Sequence, residues 1–515
     1  MEKISSLPKS PAPKRSVTHV VTPAELSSSF VIAPAQKTYK HQYSNIYFTR
    51  LRHFREIVEE RARRRWKDLD GSPVLVPRVL EVLKGQLCYV IGTVYMDMPL
   101  KPNVMEDIAR DRSIPPPPPP PKFYSPDDKV MLEDESGRIR LVGDCIKKAR
   151  LVTGVILGAL GMETPNGEFE VVDICYPGMA PNPTEEETED KMNVDDASEQ
   201  TDEWIAAISG LDIGSPSSSD AKIHMLIEYL TGEECDTTQA VSASQISRLV
   251  IAGNSLTPIT IDVENLDPKA KKFILPNGAQ ITSKNKHDTT TFSTHPIFSL
   301  SAHLLDIANA MPVHLLPGES DPSGVILPQQ SLPKAMFGSV ASLSSFNCET
   351  NPAYLRLGNE KITRTLLVNS GQPLNDMFKY VSCPPHTRLS LLESTLMWRH
   401  MAPTAPDTLW CHPYLEVDPF IIEETPDIYI VGGQEKLITK MISDRNSRCR
   451  IVGVPSFANT GILVLINLRT MDVKKITFDA KGMVISKTNG VDEGVIKSQS
   501  TTAESLDPSL SNTSR

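Results

Sequence analysis

Apolar residues change their rhythm along this chain. From Ser44 they recur every three or four places, at Tyr47, Leu51, Phe54, Val58, Ala62 and Trp66, which predicts an amphipathic helix capped by Ser44. Its other side carries Arg61, Arg63, Arg64 and Arg65, a run expected to face water. Residues 86–98 are aromatic and β-branched and predict a strand, and 104–112 look helical. Residues 130–134 and 138–142 flank Ser136-Gly137, while 151–161 meet 169–175 across Asn166-Gly167, so two hairpins are expected. Five strands, frequent glycine and a leading helix fit a small Greek-key barrel of the OB type.

Beyond residue 203 the pattern becomes α/β. Residues 204–209 predict a strand ending at Gly210, 221–229 a helix, and 247–252 a strand ending at Gly253-Asn254. Residues 296–311 carry Phe298, Leu300, Leu304, Leu305 and Ile307 at helical spacing and lead into the apolar run 313–316. That run stops at Pro317-Gly318 and hands the chain to Glu319 and Asp321 before Pro322 and Gly324. Further strand-then-loop units end at Ser370-Gly371 and Gly432-Gly433, with helices expected at 377–381 and 389–398. Residues 451–454 and 461–468 are expected to pair and close the sheet. Such alternation indicates a layered α/β domain, in which loops at the carboxyl ends of strands gather side chains over a rigid edge.

Composition adds boundaries. Residues 1–40 read as a mobile tail, 41–182 as the barrel domain, 183–203 as an acidic linker, 204–480 as the α/β domain and 481–515 as a second tail. Seven prolines at 115–121 predict a stiff surface spacer. The formal charge is −10, but ten carboxylates and one lysine between Thr184 and Glu203 supply −9 of it. The folded parts are therefore near neutral, which disfavours a protein that grips duplex DNA by neutralising phosphates. Strand binding by the barrel is also disfavoured, since Tyr89, Tyr95, Phe169 and Tyr176 are few and not interleaved with basic residues.

The longest apolar stretch, 151–162, is broken by glycines and reads as a strand pair, not a membrane span. No secretory signal is expected, so an intracellular protein is. Eight scattered cysteines without a CxxC pair read as buried, reduced thiols.

The ordered strand ends match the places where a binuclear metallophosphoesterase carries DxH, GD, GNH, a lone His and GHxH. Two cations about 3.5–4 Å apart need ligands from many strand ends to activate water and clamp a phosphate. Here Gly210 stands for the first Asp and Asp212 for its His, and Asn254 replaces the GD carboxylate. Glu319 and Ser320 replace the Asn and His of GNH, with Asp321 following. Ser370 stands near the lone His, and Gly433 and Glu435 occupy a segment with neither His of GHxH. No imidazole occupies an expected position, and without cations water keeps a pKa near 15.7 instead of about 7. Asp212, Glu319 and Asp321 are thus expected to cap their own loops. His314, inside a strand, and His412, in a proline-bounded loop, are expected to pack and not to ligate.

Several ordered blocks then carry a resemblance: Met98-Pro-Leu, Val130-Met-Leu-Glu-Asp-Glu135, Leu151-Val-Thr-Gly154, Pro317-Gly-Glu-Ser-Asp-Pro322 with Leu327-Pro-Gln-Gln330, Ser370-Gly-Gln372, Ala402-Pro-Thr-Ala-Pro-Asp-Thr-Leu409 and Asp418-Pro-Phe420. Over residues 41–480 the chain resembles the small (B) subunits of DNA polymerase delta, whose architecture is shared by those of polymerases alpha and epsilon. The resemblance implies an OB barrel fused to an inactive calcineurin-like phosphoesterase domain, without metal, cofactor or catalytic residues. It also implies a nuclear scaffold for DNA replication and repair. The implied partners are the cysteine-rich C-terminal module of the catalytic subunit, a third accessory subunit and the catalytic subunit of polymerase zeta, with indirect contact to the sliding clamp and DNA. The polyproline run and acidic linker are not part of the family's pattern. The competing expectations are an active metal-dependent phosphoesterase or nuclease, and a single-stranded DNA-binding OB module.

Overall fold

The computed structural model describes residues 14–20, 30–38, 40–69, 71, 73–102, 120–182, 202–215, 220–233, 237–258, 294–358, 362–479 and 482–487. The helix expected at 104–112, residues 115–119 of the proline run and residues 183–201 of the acidic linker lie outside them. The described residues begin with an arm ending in β1 (His19–Val20) and then α1 (Ser44–Arg65). The helix starts where expected, but Ser44 is its first residue: Tyr43 is the N-cap and no side chain caps it. The predicted stripe is buried from Leu51 to Trp66 with Tyr47 half-buried, and Trp66 rests on Tyr89 with ring centres 5.2 Å apart.

β2 (Val74–Leu75) pairs with β3 (Cys88–Asp97), which continues to β4 (Lys129–Glu133) and β5 (Arg138–Val142). β6 (Ile156–Glu163) and β7 (Glu168–Cys175) form the second hairpin; β5 lies parallel to β7 and β6 returns to β3. The sheet closes on itself, so the barrel strands leave no long unpaired edge. The OB-type barrel is therefore present. Residues 151–155 form a loop, so the apolar stretch is one strand and not a pair. A short helix, α2 (Asp144–Lys148), lies between β5 and β6 and is too brief to show periodicity in sequence.

The second domain has two facing sheets. In the first, β8 (Trp204–Ile208), β9 (Ile246–Ala252), β10 (Val313–Leu316) and β11 (Phe346–Cys348) run parallel. β17 (Ile462–Asn467), β18 (Val473–Asp479) and β19 (Gly482–Lys487) continue this sheet antiparallel beyond β8. The second sheet has the order β1, β12 (Ala353–Gly358), β13 (Thr363–Asn369), β14 (Ile428–Gln434), β16 (Ser447–Pro455), β15 (Ile438–Asp444). Ile205, Ala207, Val250 and Leu316 of the first pack against Leu366, Val368, Ile430 and Val452 of the second.

α3 (Asp220–Thr231), followed by α4 (Thr237–Ser244), and α5 (His295–Ala310) pack on the outer side of the first sheet. α6 (Gln372–Tyr380) and α7 (Arg388–Trp398) cover the second, and their apolar residues merge with those of the barrel into one cluster. The fold class is thus an OB barrel followed by a mixed-sheet α/β domain.

Several expectations need correction. Residues 451–454 and 461–468 do not pair: β16 lies in the second sheet and β17 in the first, with α8 (Phe457–Thr460) carrying the chain across. Tail residues 482–487 form β19 instead of a loose end. The N-terminal tail docks as well. His19 and Val20 pair with Gly358 and Leu357, Phe30 is buried, and its ring stacks on Tyr354 at 5.6 Å. Phe298 is 68% exposed instead of joining its helix's buried stripe. α6 begins five residues before the expected 377 and stops at Tyr380. Of the described cysteines all are free; Cys383 is exposed, and Cys145 and Cys348 are half-buried, so burial is not general.

The two domains are joined by a charge taken out of water. Arg50 on α1 is fully buried and donates from Nε to Asp418 Oδ2 at 2.8 Å. Its other nitrogens donate to Gly154 O (3.1 Å), Pro403 O (2.9 Å) and Ala405 O (3.0 Å). His400 Nε2 stands 2.8 Å from the same Asp418 oxygen, and Phe420 N donates to Asp418 Oδ1. A buried ion pair persists only when its remaining hydrogen-bonding capacity is met, as here.

Candidate functional site

The strand ends picked out by sequence do converge, and they come from both sheets. Ser209, just after β8, is buried; its hydroxyl donates to Ala252 O at 2.8 Å and accepts from Gly433 N at 2.9 Å. One small side chain therefore ties β8, β9 and β14 together. Asn254 adopts φ 58° after β9, and its Oδ1 accepts from Ser320 N (3.2 Å) and Ser320 Oγ (3.3 Å) on the loop after β10. Ser370 after β13 receives Asn351 Nδ2 at 2.7 Å and donates its own amide to Asn351 Oδ1 at 3.0 Å.

The backbones approach too closely for larger residues. At Gly210, φ is +65° and a Cβ would meet Ser456 Oγ at 2.9 Å and Ser456 Cα at 3.0 Å. At Gly318 it would meet both N and Oδ1 of Asn254 at 2.3 Å. An aspartate at the first position, or any side chain at the second, needs the neighbouring loop to move.

The carboxylates are spent or turned away. Asp321 is buried, with Oδ1 accepting from Ser255 N and Leu256 N at 2.9 Å each and Oδ2 from Gly318 N at 2.8 Å. Burial pushes its carboxyl above the ordinary value, against the pull of these backbone donors. It is a loop cap, as expected. Asp212 holds φ 47° and is half-buried, which raises its pKa by desolvation. Glu319 points to solvent, and Glu435, 85% exposed in its side chain, lies 3.8 Å from Arg388; neither joins the cluster. Among the described residues, no three His, Cys, Asp or Glu side chains come together as a metal-holding group.

What fills the corner is an amide network that sequence reasoning missed. Asn351 Nδ2 reaches Gln329 Oε1 (2.7 Å) and Gln372 Oε1 (2.8 Å) as well as Ser370, and Gln329 Nε2 donates to Gly318 O (3.0 Å) and Gly324 O (2.9 Å). The only signal for it in the sequence is that Gln329 and Gln372 fall within two of the ordered blocks; Asn351 carries none.

The histidines lie elsewhere. His314 sits in β10 with Nδ1 2.8 Å from Glu349 and Nε2 3.0 Å from Arg248 Nη1. Arginine can only donate, so Nε2 accepts and the Nδ1 proton faces the carboxylate. Arg248 in turn bonds Thr18 Oγ1 and O on the N-terminal arm. His412 packs against Tyr414, ring centres 5.0 Å apart, and burial lowers its pKa.

The barrel offers little to stack a base on. Tyr89 and Phe169 are buried, and the Tyr95 ring is covered by Lys101 at 4.5 Å and Arg138 at 4.4 Å.

Comparison with known proteins agrees with this architecture. The family model described as the DNA polymerase delta subunit OB-fold domain matches residues 42–174, and that for the B subunit of DNA polymerase alpha/epsilon matches residues 205–439. The chain is 34% identical over 444 residues to the DNA polymerase delta small subunit of Oryza sativa subsp. japonica, covering 86% of this chain and 94% of that one. With the protein of the same description from Arabidopsis thaliana the identity is 35% over 441 residues, 85% and 92% of the two chains. With that of Saccharomyces cerevisiae it is 32% over 489 residues, 88% and 92%.

Proposed function

The chain belongs to the family of DNA polymerase delta small subunits and is an accessory subunit of a replicative polymerase; on that premise we propose that it acts as a non-catalytic scaffold in the nucleus. In this reading it holds the cysteine-rich C-terminal module of the catalytic subunit and a third accessory subunit, and its α/β domain hydrolyses nothing. The catalytic subunit of polymerase zeta is a further partner of the same kind.

The observation that carries this reading is the corner itself: Ser209 takes up the Gly433 amide, Asn254 the Ser320 hydroxyl, and Asn351 bonds Ser370, where cation ligands would be needed. Hydrolysis at such a site needs metal-activated water. A second support is surface. Phe48, Trp410, Leu415 and Val417 are exposed where α1 meets the 410–417 loop, joined by Thr49 Oγ1 donating to Leu415 O at 3.3 Å. Exposed aromatics of this kind anchor permanent interfaces, which bury more than about 2,000 Å².

The test has two arms, the first on the isolated full chain and the second on the full chain co-expressed with its partners. Elemental analysis is expected to give no stoichiometric transition metal, and manganese-dependent cleavage of nucleotides or single-stranded DNA is expected to be absent. Capture followed by mass spectrometry is expected to return the catalytic subunit. Cleavage abolished by Asp321→Ala would instead establish the hydrolase, and a chain that purifies well alone and captures no polymerase subunit would defeat the scaffold.

A further inference from the structure

Away from the strand ends, a recess of about 360 Å³ opens between the C-terminal half of α1, the segment 177–181 and the turn joining β15 to β16. Arg61, Arg64, Arg399 and Arg445 line it, against Glu60 and Asp444, so its walls carry two positive charges in excess. Two of these arginines are fixed in place. Arg61 donates to Asp444 Oδ2 at 2.9 Å and Pro177 O at 3.3 Å; Arg399 donates to Gly178 O at 2.8 Å and Met179 O at 3.1 Å. Gly178 makes this possible: its φ is +76°, and a Cβ there would stand 1.7 Å from Arg61 Nη1. Arg445 is exposed at the mouth, on the tight turn, with φ 55°.

The rest of the basic face of α1 is already neutralised. Arg63 pairs with Glu59, Arg64 with Glu60, and Arg65 with Asp173 at 2.6 Å. Positive charge is therefore left over at a point and not along a stripe. A nucleic-acid backbone is followed by a continuous track of cations and stacking rings. Forked guanidiniums held rigidly in a recess instead suit the carboxylates of one short segment. The volume holds about twelve waters at ~30 Å³ each, room for two acidic side chains, and the excess charge matches two.

We propose that this recess is a socket for an acidic segment of a partner protein, whose aspartate or glutamate carboxylates enter between Arg61, Arg399 and Arg445. Because Arg61 and Arg399 are tied down beforehand, little further side-chain freedom is lost on binding.

The probe is a fluorescein-labelled octaglutamate peptide titrated with the full chain at low salt and followed by anisotropy. Saturable binding is expected, weakened at least tenfold by Arg445→Glu and by less than threefold by Arg63→Glu, which reverses charge outside the recess. Thermal melts of both variants are expected to match the parent, since both residues are exposed. The proposal is overturned if the peptide does not bind, if the two reversals weaken it equally, or if a twenty-nucleotide oligothymidine binds more tightly and shows the same dependence on Arg445. That last result assigns the recess to nucleic acid.

Discussion

His400 sits beside Asp418 and Arg50, entirely out of water, and burial together with the neighbouring guanidinium drives its pKa down to about 4. An unfolded histidine titrates near 6.5. Between these values the unfolded chain binds a proton that the folded chain refuses, so stability falls as pH drops from about 6.5 to about 4. At 1.36 kcal/mol per unit the loss approaches about 3 kcal/mol. Asp418, held below the ordinary carboxylate range by Arg50 and His400 despite its burial, keeps its own contribution until the solution is more acid still. Urea melts at pH 7 and pH 4.5 are expected to show this loss, and His400→Gln is expected to flatten most of the slope. None of this was legible at Arg50, where an arginine on an amphipathic helix reads as a solvated face. Its partner is 368 positions away. Asp321, by contrast, was legible as a cap of its own loop at Gly318, though not as the cap of Ser255 and Leu256 on the loop after β9.

Elements with long periodic signals formed as expected, α1 and the barrel hairpins above all. Those that failed were short or depended on choosing a distant neighbour. β16 and β17 are both apolar and adjacent in sequence, yet nothing local says that each joins a different sheet. The N-terminal arm failed for the same reason: it lacks periodicity, and its order comes from groups it meets on arrival. Arg15 donates to Leu230 O (2.6 Å), Ala243 O (3.0 Å) and Ile246 O (2.9 Å), carbonyls at the ends of α3 and α4 and the start of β9. Cations are favoured at helix C-termini, where carbonyls lack partners. Arg15→Ala is expected to cost about 1.5–3 kcal/mol, the range for hydrogen bonds to charged groups, read from the urea midpoint. The same variant is expected to speed proteolysis within residues 14–20 before the rest of the chain is cut.

Across the whole molecule, barrel and α/β domain share one apolar cluster, with Leu132, Val155 and Phe169 from the barrel and Leu374, Met377 and Trp398 from the helices. The Arg50–Asp418 pair crosses the same boundary. Domains that share a core are expected to unfold together, so calorimetry is expected to give one transition for the described body. Arg50→Met leaves Asp418 buried without its main partner, an event that costs about 3–5 kcal/mol, and is expected to split that transition in two. Fold class and the order of the strand ends could be read from sequence, since both depend on local pattern and on recognisable blocks. How the strand ends fill their own corner could not, because Asn351, which joins Gln329, Ser370 and Gln372, announces itself only once three loops are folded together.

That filling also bears on how the corner could change. Placing an aspartate at 210 meets Ser456, and enlarging 318 meets Asn254, so neither step is open until a neighbouring loop has already withdrawn. A carboxylate at 210 therefore has to arrive together with a shift of the Ser456 turn, a pair of changes that one amino-acid exchange does not supply.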